Sequence, residues 1–531
     1  MIPGLINRAW SASMRSAEKR YRRALRRPAD AQRALLLALI AEHADTAFGR
    51  DHGFDQIDSI DAFQRRVPLG DYATHEPYIA RVRRGERRVL TADPVTHLIP
   101  TSGSSGGRKL VPHTRALQAQ FDDALGPWVR DLFRQFPGAA GGKAYWSVSP
   151  AIPSDEDSPV PIGFQDDTDY LGPLGRLCVR RILAVPSDVR HITDTDLFWR
   201  TTALHLLAAR DLALISVWHP SYLDRLLDAI ARHWADLLDA LPPRDARRLR
   251  RTTPDAVREV WPRLSLVSVW ADASAALAFD RLKARVPGVG FQAKGLLATE
   301  GWTTIPYRGE HPLAVNTHFF EFIDDTGEPR RCDELCVGQA YATALTTAGG
   351  LYRYRTGDRV RVTGRVGPTP TLRFVGRDSA TSDLRGEKLH ESHVTACLRR
   401  VFAQIGYRPI DQLLAPSDDC SPARYVLLLH ALSPPPSETE DLIEQALCAN
   451  PHYALARRLG QLDRVQLCWR TRAFRQLESN ASAGMGAVKP PILMNQDALK
   501  HAAGKGLVCV VPERGDPANS VGEPRAGGRD R

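Results

Sequence analysis

Little in this chain supports a disulfide framework or a zinc site. Its eight cysteines, at positions 178, 332, 336, 397, 420, 448, 468 and 509, are scattered, with no Cys-x-x-Cys pair and no matching histidine cluster. That usage argues against both and predicts a reducing cytoplasm. No unbroken apolar segment is long enough to cross a bilayer, and residues 1–27 are arginine-rich without the apolar core of a secretory signal. A soluble intracellular protein with no membrane partner is therefore expected. Nor is there a recognisable nucleic-acid module. The formal charge of +10 is spread over 15–27, 81–88, 244–251 and the C-terminal tail rather than gathered on one aromatic-bearing stripe, so no nucleic-acid partner is expected. Lysine is scarce beside arginine: Lys19, Lys109, Lys143, Lys283, Lys294, Lys388, Lys489, Lys500 and Lys505. Where arginine serves as the generic surface cation, a retained lysine answers a need for a compact point charge.

At 531 residues the chain is expected to form two or more domains. Its most informative stretch is Leu98-Ile99-Pro100-Thr101-Ser102-Gly103-Ser104-Ser105-Gly106-Gly107-Arg108-Lys109. Apolar residues enter it, glycines and hydroxyls fill it, and Lys109 leads into Leu110, Val111 and Pro112, so it reads as a flexible loop between two extended segments. Small residues let backbone N–H groups close around an anion, and hydroxyls and cations add donors, so such a loop suits phosphate. The spacing is not Gly-x-x-x-x-Gly-Lys-Ser/Thr, which excludes a P-loop kinase or GTPase. An ordinary glycine-serine surface loop has the same composition.

Around this loop the pattern predicts helices over 31–48, 60–66 and 114–136, a strand over 144–148 and a polar loop over 150–170 that contains Phe164. An α/β rhythm follows: helix 196–209, strand 212–217, helices 221–238 and 245–251, strand 264–270 and helix 273–285. Strands alternating with helices imply a mainly parallel sheet. Trp218 and Trp270, with Asp272, fall at the ends of two strands, where ligands of such sheets collect. Leu296-Leu297-Ala298-Thr299-Glu300-Gly301 then sets a hydroxyl and a carboxylate beside a glycine. From 314 to 362 short alternating strands, 318–323 and 338–346 among them, predict a β-rich subdomain. It closes with Gly350-Leu351-Tyr352-Arg353-Tyr354-Arg355-Thr356-Gly357-Asp358 and Phe374-Val375-Gly376-Arg377. Beyond a polar run ending at Lys388, helix 391–405, strand 424–430, helix 438–449 and strand 464–468 predict a small α+β domain. It ends in Gly484-Met485-Gly486-Ala487-Val488-Lys489-Pro490-Pro491. The Gly/Pro/Arg-rich end reads as disordered.

The order of these patches resembles the adenylate-forming superfamily and, within it, the GH-three family of auxin-responsive acyl-acid amido synthetases. The resemblance spans about residues 30–495 and is carried by 101–109, 297–300, 350–358, 374–377 and 386–389. It implies a fold of a large N-terminal adenylate-forming domain over 1–377, with parallel-rich sheets and a β-rich subdomain. A hinge over 378–388, a small mobile α+β domain over 389–511 and a disordered tail over 512–531 complete it. It also implies a two-step reaction, in which ATP adenylates a carboxylic acid with release of pyrophosphate and an amine, expected to be an amino acid, then displaces AMP. Such chemistry is chiefly positioning and charge stabilisation.

By the same resemblance Thr101, Ser102, Gly103, Ser104, Ser105 and Lys109 would hold the phosphates, Thr299 the α-phosphate and Glu300 a Mg²⁺ ion. Asp358 would accept hydrogen bonds from the ribose, with Tyr354 and Arg377 nearby. Lys489 would be brought in by the small domain to stabilise charge during adenylation, and Phe164, Trp218 and Trp270 would border the acid. The expected protein is a monomer acting on small molecules. Two departures stand out: Ser379 occupies the position usually held by a hinge aspartate, and Leu297 the position of an adenine-stacking aromatic. A thiol acceptor such as CoA, and a basic scaffold that has lost the chemistry, remain open as alternatives.

Overall fold

The computed structural model describes residues 2–101, 109–147, 159–162, 181–192, 194–377, 381–385, 387, 389–417, 422–474 and 491–504. They fall into two compact units, one containing the described residues up to 377 and the other those from 381 onward.

In the first unit β1 (His97–Pro100) and β2 (Leu110–His113) pair antiparallel. The predicted loop between two extended segments is thus the connection of a hairpin. Four further strands, β3 (Lys143–Trp146), β4 (Leu212–Ser216), β5 (Leu266–Val269) and β6 (Gly290–Ala293), form a parallel sheet in sequence order. Successive side chains on a strand point to opposite faces. Leu214 and Leu266 accordingly enter one apolar cluster with Trp128 on the helix Arg115–Gln135, while Ile215 and Val267 enter another with Phe198, Leu223 and Leu226. A sheet covered on both faces is what near-continuous apolar strands predict.

The β-rich part is an antiparallel sheet of β7 (Phe319–Ile323), β8 (Pro329–Arg330), β9 (Ala340–Thr346), β10 (Tyr354–Val366) and β11 (Thr369–Arg377), in the order β11-β10-β9-β7-β8. Phe320, Phe322, Val360 and Leu372 join the cluster that holds Leu214, so both sheets share one core.

In the second unit β12 (Thr381–Ser382) pairs with β13 (Leu389–His390). Three longer strands form a mixed sheet: β14 (Asp411–Ser417), β15 (Arg424–His430) and β16 (Gln466–Arg470). Helices Glu391–Gln404, Thr439–Leu447 and Pro451–Arg458 complete its α+β character.

Several element boundaries differ from the pattern for local reasons. The helix expected over 31–48 is two, Pro28–His43 and Ala47–Asp51, because Thr46 caps the second by accepting the Gly49 N–H at 3.0 Å. A Cβ at Gly49 would lie 2.2 Å from the His43 carbonyl oxygen, so this tight junction needs glycine. The helix expected over 221–238 restarts at His233, giving Pro220–Arg232 and Trp234–Ala240, so that Leu226, Ile230, Leu237 and Leu238 all reach the core. β16 lies two residues later than expected. β14, with Pro416 inside it, carried too little strand signal to be seen, since proline cannot donate to a ladder. The expected disordered tail and the loop over 163–170 lie outside the described residues.

Candidate active site

The site is assembled from four separated pieces of the first unit. The first is the neck of the β1–β2 hairpin, where the Thr101 N–H donates to the Lys109 carbonyl at 2.9 Å. Lys109 Nζ stands 5.9 Å from the centroid of the Tyr72 ring, whose hydroxyl accepts the Leu110 N–H at 3.0 Å. Both mouths of the Gly/Ser loop are therefore fixed. Ser102, Gly103, Ser104 and Ser105 lie outside the described residues, as do Phe164, Ser379, Lys388 and Lys489.

The second piece is a tight turn after β6. Ala298 and Gly301 exchange N–H···O bonds of 3.0 and 3.3 Å, which leaves Thr299 and Glu300 as its two central residues. A Cβ on Gly301 would come within 2.9 Å of the His318 ring, so the glycine is required by close approach. His318 Nε2 accepts the Trp302 N–H at 3.0 Å, and its Nδ1 faces Gln120 Oε1 at 3.0 Å. The same Gln120 oxygen accepts the Ala348 N–H at 3.1 Å. Burial pushes His318 down to about 3, so the ring is neutral, accepting at one nitrogen and donating at the other. This chain ties the Thr299-Glu300 turn to the helix Arg115–Gln135 and to the segment before β10. Sequence reading missed Gln120 and His318, because nothing local links residues 198 apart.

The third and fourth pieces are Asp358 on β10 and Arg377 on β11, which are register partners. Arg377 Nε donates to Asp358 Oδ1 at 2.9 Å. The pairing depends on a register shift of the β10–β11 ladder between Arg359 and Val360, and the β9–β10 ladder is itself irregular between Arg355 and Arg359, where Gly357 takes φ 78°. The Thr356 hydroxyl accepts the Asp358 N–H at 3.1 Å within it. Among the described residues none bonds Asp358 Oδ2, which leaves that oxygen for a ligand.

Glu300 is 7% exposed. Burial raises its pKa, its own N–H opposes this, the charge of Asp358 raises it further, and Arg377 and Lys109 pull it down. The four charged groups therefore act in one electrostatic neighbourhood. Burial opposes the charge on Arg377, but Asp358 beside it carries the guanidinium above its ordinary range. Tyr354 is buried, and burial together with the Glu300 charge pushes its phenol up. Of the two tryptophans, Trp270 directly follows β5 and packs on Phe374 with ring centroids 5.6 Å apart, and Trp218 lies two residues beyond β4 and is 42% exposed.

Residues 17–245 match the GH3 family N-terminal domain and residues 311–377 the GH3 family central domain, together more than half of the chain. The chain belongs to the GH3 family. A probable indole-3-acetic acid-amido synthetase GH3.2 of Oryza sativa subsp. japonica is 25% identical over 515 residues, which cover 82% of each chain. Indole-3-acetic acid-amido synthetase GH3.4 of Arabidopsis thaliana is 22% identical over 464 residues, 77% of each chain. Among solved structures, AtGH3.15 acyl acid amido synthetase in complex with 2,4-DB superposes with a TM-score of 0.81 at 17% identity, covering 94% of this chain and 97% of that one. The resemblance read from the ordered motifs thus holds for family and for fold.

Proposed function

We propose that this GH3 protein is an ATP-dependent acyl-acid amido synthetase. The observation that carries this reading is that Lys109, Asp358 and Arg377 all act on the buried Glu300 in one charged neighbourhood, with Arg377 bonded to Asp358. In the first step a carboxylate oxygen of the acid attacks the α-phosphorus of ATP. The new P–O bond forms as the bond to the bridging oxygen breaks, and pyrophosphate leaves. In the second step an amine attacks the acyl carbon, loses a proton to solvent and displaces AMP. Relatives named as amido synthetases support an amine as the acceptor, and we take that amine to be an amino acid.

The chain's own residues position and neutralise charge. Thr101, the hydroxyls of the loop it begins and Lys109 would hold the phosphates, Thr299 the α-phosphate, and Asp358 Oδ2 a ribose hydroxyl, with Arg377 and Tyr354 alongside. Mg²⁺ is usually held by one or two carboxylates together with substrate phosphates rather than by an all-protein cage. A single buried carboxylate, Glu300, fits that habit, and among the described residues there is no group of three or more His, Cys, Asp or Glu that would form a cage. When bound there, the ion would neutralise phosphate charge. We place the hinge at 378–388 and the small domain at 389–511, and assign Lys489 to adenylation. Lys489→Ala should then slow adenylation far more than the reaction of preformed acyl adenylate with the amine, as read by single-turnover kinetics of each half; equal slowing would remove that role.

The five cysteines resolved as free thiols, Cys332, Cys336, Cys397, Cys448 and Cys468, support a reducing cytoplasm, and the protein is taken to act as a monomer. A pyrophosphate-release screen across aromatic, jasmonate-like and aliphatic acids, with and without an amino-acid mixture or CoA, tests the function. Acid-dependent release with an amide as the stable product is expected. A thioester product would make the protein a CoA ligase, and no release with any acid would make it a binding protein.

A further inference from the structure

β4, β5 and β6 run parallel, so residues that follow them emerge together at one edge of the sheet, where α/β folds bind ligands. At that edge stand Trp218, Trp270 and Lys294. They are tied to one another by backbone: the Lys294 N–H donates to the Val269 carbonyl at 3.0 Å, and the Trp270 N–H to the Trp218 carbonyl at 3.4 Å. The Lys294 ammonium lies 4.4 Å from the centroid of the Trp218 ring. It makes no hydrogen bond or ion pair with any described residue.

Such an arrangement is unusual for a lysine. An ammonium taken out of water is normally paired, because desolvation is costly unless a counter-charge offsets it. Here a ring face is the only partner among the described residues, and cation–π attraction compensates the loss of hydration only in part. The side chain is half-buried, and burial alone pulls Lys294 down to about 7, with no neighbouring charge contributing. Asp272, two residues beyond Trp270, is already committed to Arg373 Nε at 2.9 Å and to the Phe374 N–H at 3.2 Å. Lys294 thus stands half-buried at the sheet edge with no counter-ion among the described residues.

Two places for that counter-ion can be told apart. The carboxyl group that reacts must meet the phosphates, where Lys109, Arg377 and Glu300 act on one another, whereas Lys294 is held at the sheet edge by its N–H on the Val269 carbonyl and by the Trp218 ring. The cation at the sheet edge thus faces a different part of the acid. We infer that Lys294 is a specificity-determining residue that pairs with a second anionic group, a distal carboxylate, on an acid whose body lies against Trp218 and Trp270. This deepens the proposed function and rests on it: a diacid would be adenylated at one end and held by Lys294 at the other.

The test compares pyrophosphate release for matched acids, octanoate with octanedioate and phenylpropanoate with its para-carboxyl analogue. The unmodified protein should favour the diacid of at least one pair in kcat/KM by about tenfold or more. Lys294→Met should reverse that preference and Lys294→Arg retain most of it, with KM for ATP unchanged in both; a role in folding alone would not move the ratio of two acids. If the unmodified protein prefers the monoacid of both pairs, or if Lys294→Met leaves the ratio within twofold, the inference is overturned while the amido synthetase reading stands. Should Lys294→Met fail to fold, the ratio in the unmodified protein decides. If no acid of any kind supports release, the reading of an adenylating enzyme fails and takes the inference with it.

Discussion

Glu300→Gln is expected to abolish acid-dependent exchange of pyrophosphate into ATP and, at neutral pH, to make the protein more stable. Glutamine keeps the shape of the side chain but loses the negative charge that would hold a cation against the phosphates, and losing one preorganised source of charge stabilisation costs about 10²–10³ in rate. The stability change has the opposite sign. Burial, with help from Asp358, raises the Glu300 pKa above its ordinary value. A group whose folded pKa is raised contributes full stability below the unfolded value, and that contribution is lost as pH rises through the folded one. Ionised Glu300 is therefore a burden on the nucleotide-free fold, and glutamine removes it. Melting temperatures of variant and parent should differ at pH 7 to 8 and converge below about pH 4.5, the ordinary value of the group. Coincident melting curves at every pH, or retained exchange, would show that Glu300 is neither strained by burial nor part of the chemistry.

The second large effect lies in the Tyr-Arg-Tyr-Arg segment. Arg353 adopts φ 46°, a left-handed conformation that side chains other than glycine rarely take. It is held there by its N–H on Thr346 Oγ1 at 2.9 Å and by its guanidinium. Nε lies 2.9 Å from Glu321 Oε2, and Nη1 donates to the carbonyls of Gln64 and Val67 at 2.8 and 2.7 Å. The side chains of Arg353 and Glu321 are 5% and 1% exposed. Removing one partner of a buried pair leaves the other charge uncompensated, at about 3–5 kcal/mol. Arg353→Met should lower the urea midpoint accordingly, whereas replacing both Arg353 and Glu321 by apolar residues should cost less than Arg353→Met alone. A change in unfolding free energy within about 0.5 kcal/mol would show that the pair is dispensable. This ion pair braces the start of β10 from beneath, and β10 is the strand that presents Tyr354 and Asp358.

Much of the scaffold could be read in advance because its signals are local. The Gly/Ser stretch between apolar runs specified the neck at Thr101 and Lys109, and the helix–strand rhythm specified the parallel sheet that brings Trp218 and Trp270 to one edge. The convergence of Asp358 and Arg377 was legible only through the order of the family's motifs, since their pairing depends on a strand irregularity that composition does not reveal. Gln120 and His318 could not be read at all: one sits inside a long amphipathic helix and the other just before a buried strand, and only tertiary packing sets them beside each other. Arg353 was visible as part of a motif, but nothing in the motif says that it faces Glu321 rather than a ligand. Lys294 stood out solely because lysine is rare in this chain, and its isolation from any counter-charge is a property of the folded sheet.

The central claim is that Lys109, Glu300, Asp358 and Arg377 serve one nucleotide. Calorimetric titration of ATP into the parent protein and into Asp358→Ala tests it most directly. Loss of a charged hydrogen-bonding partner of the ribose should weaken binding by about tenfold or more, with an unchanged melting profile of the second unit. ATP affinity identical in the two proteins would contradict the account.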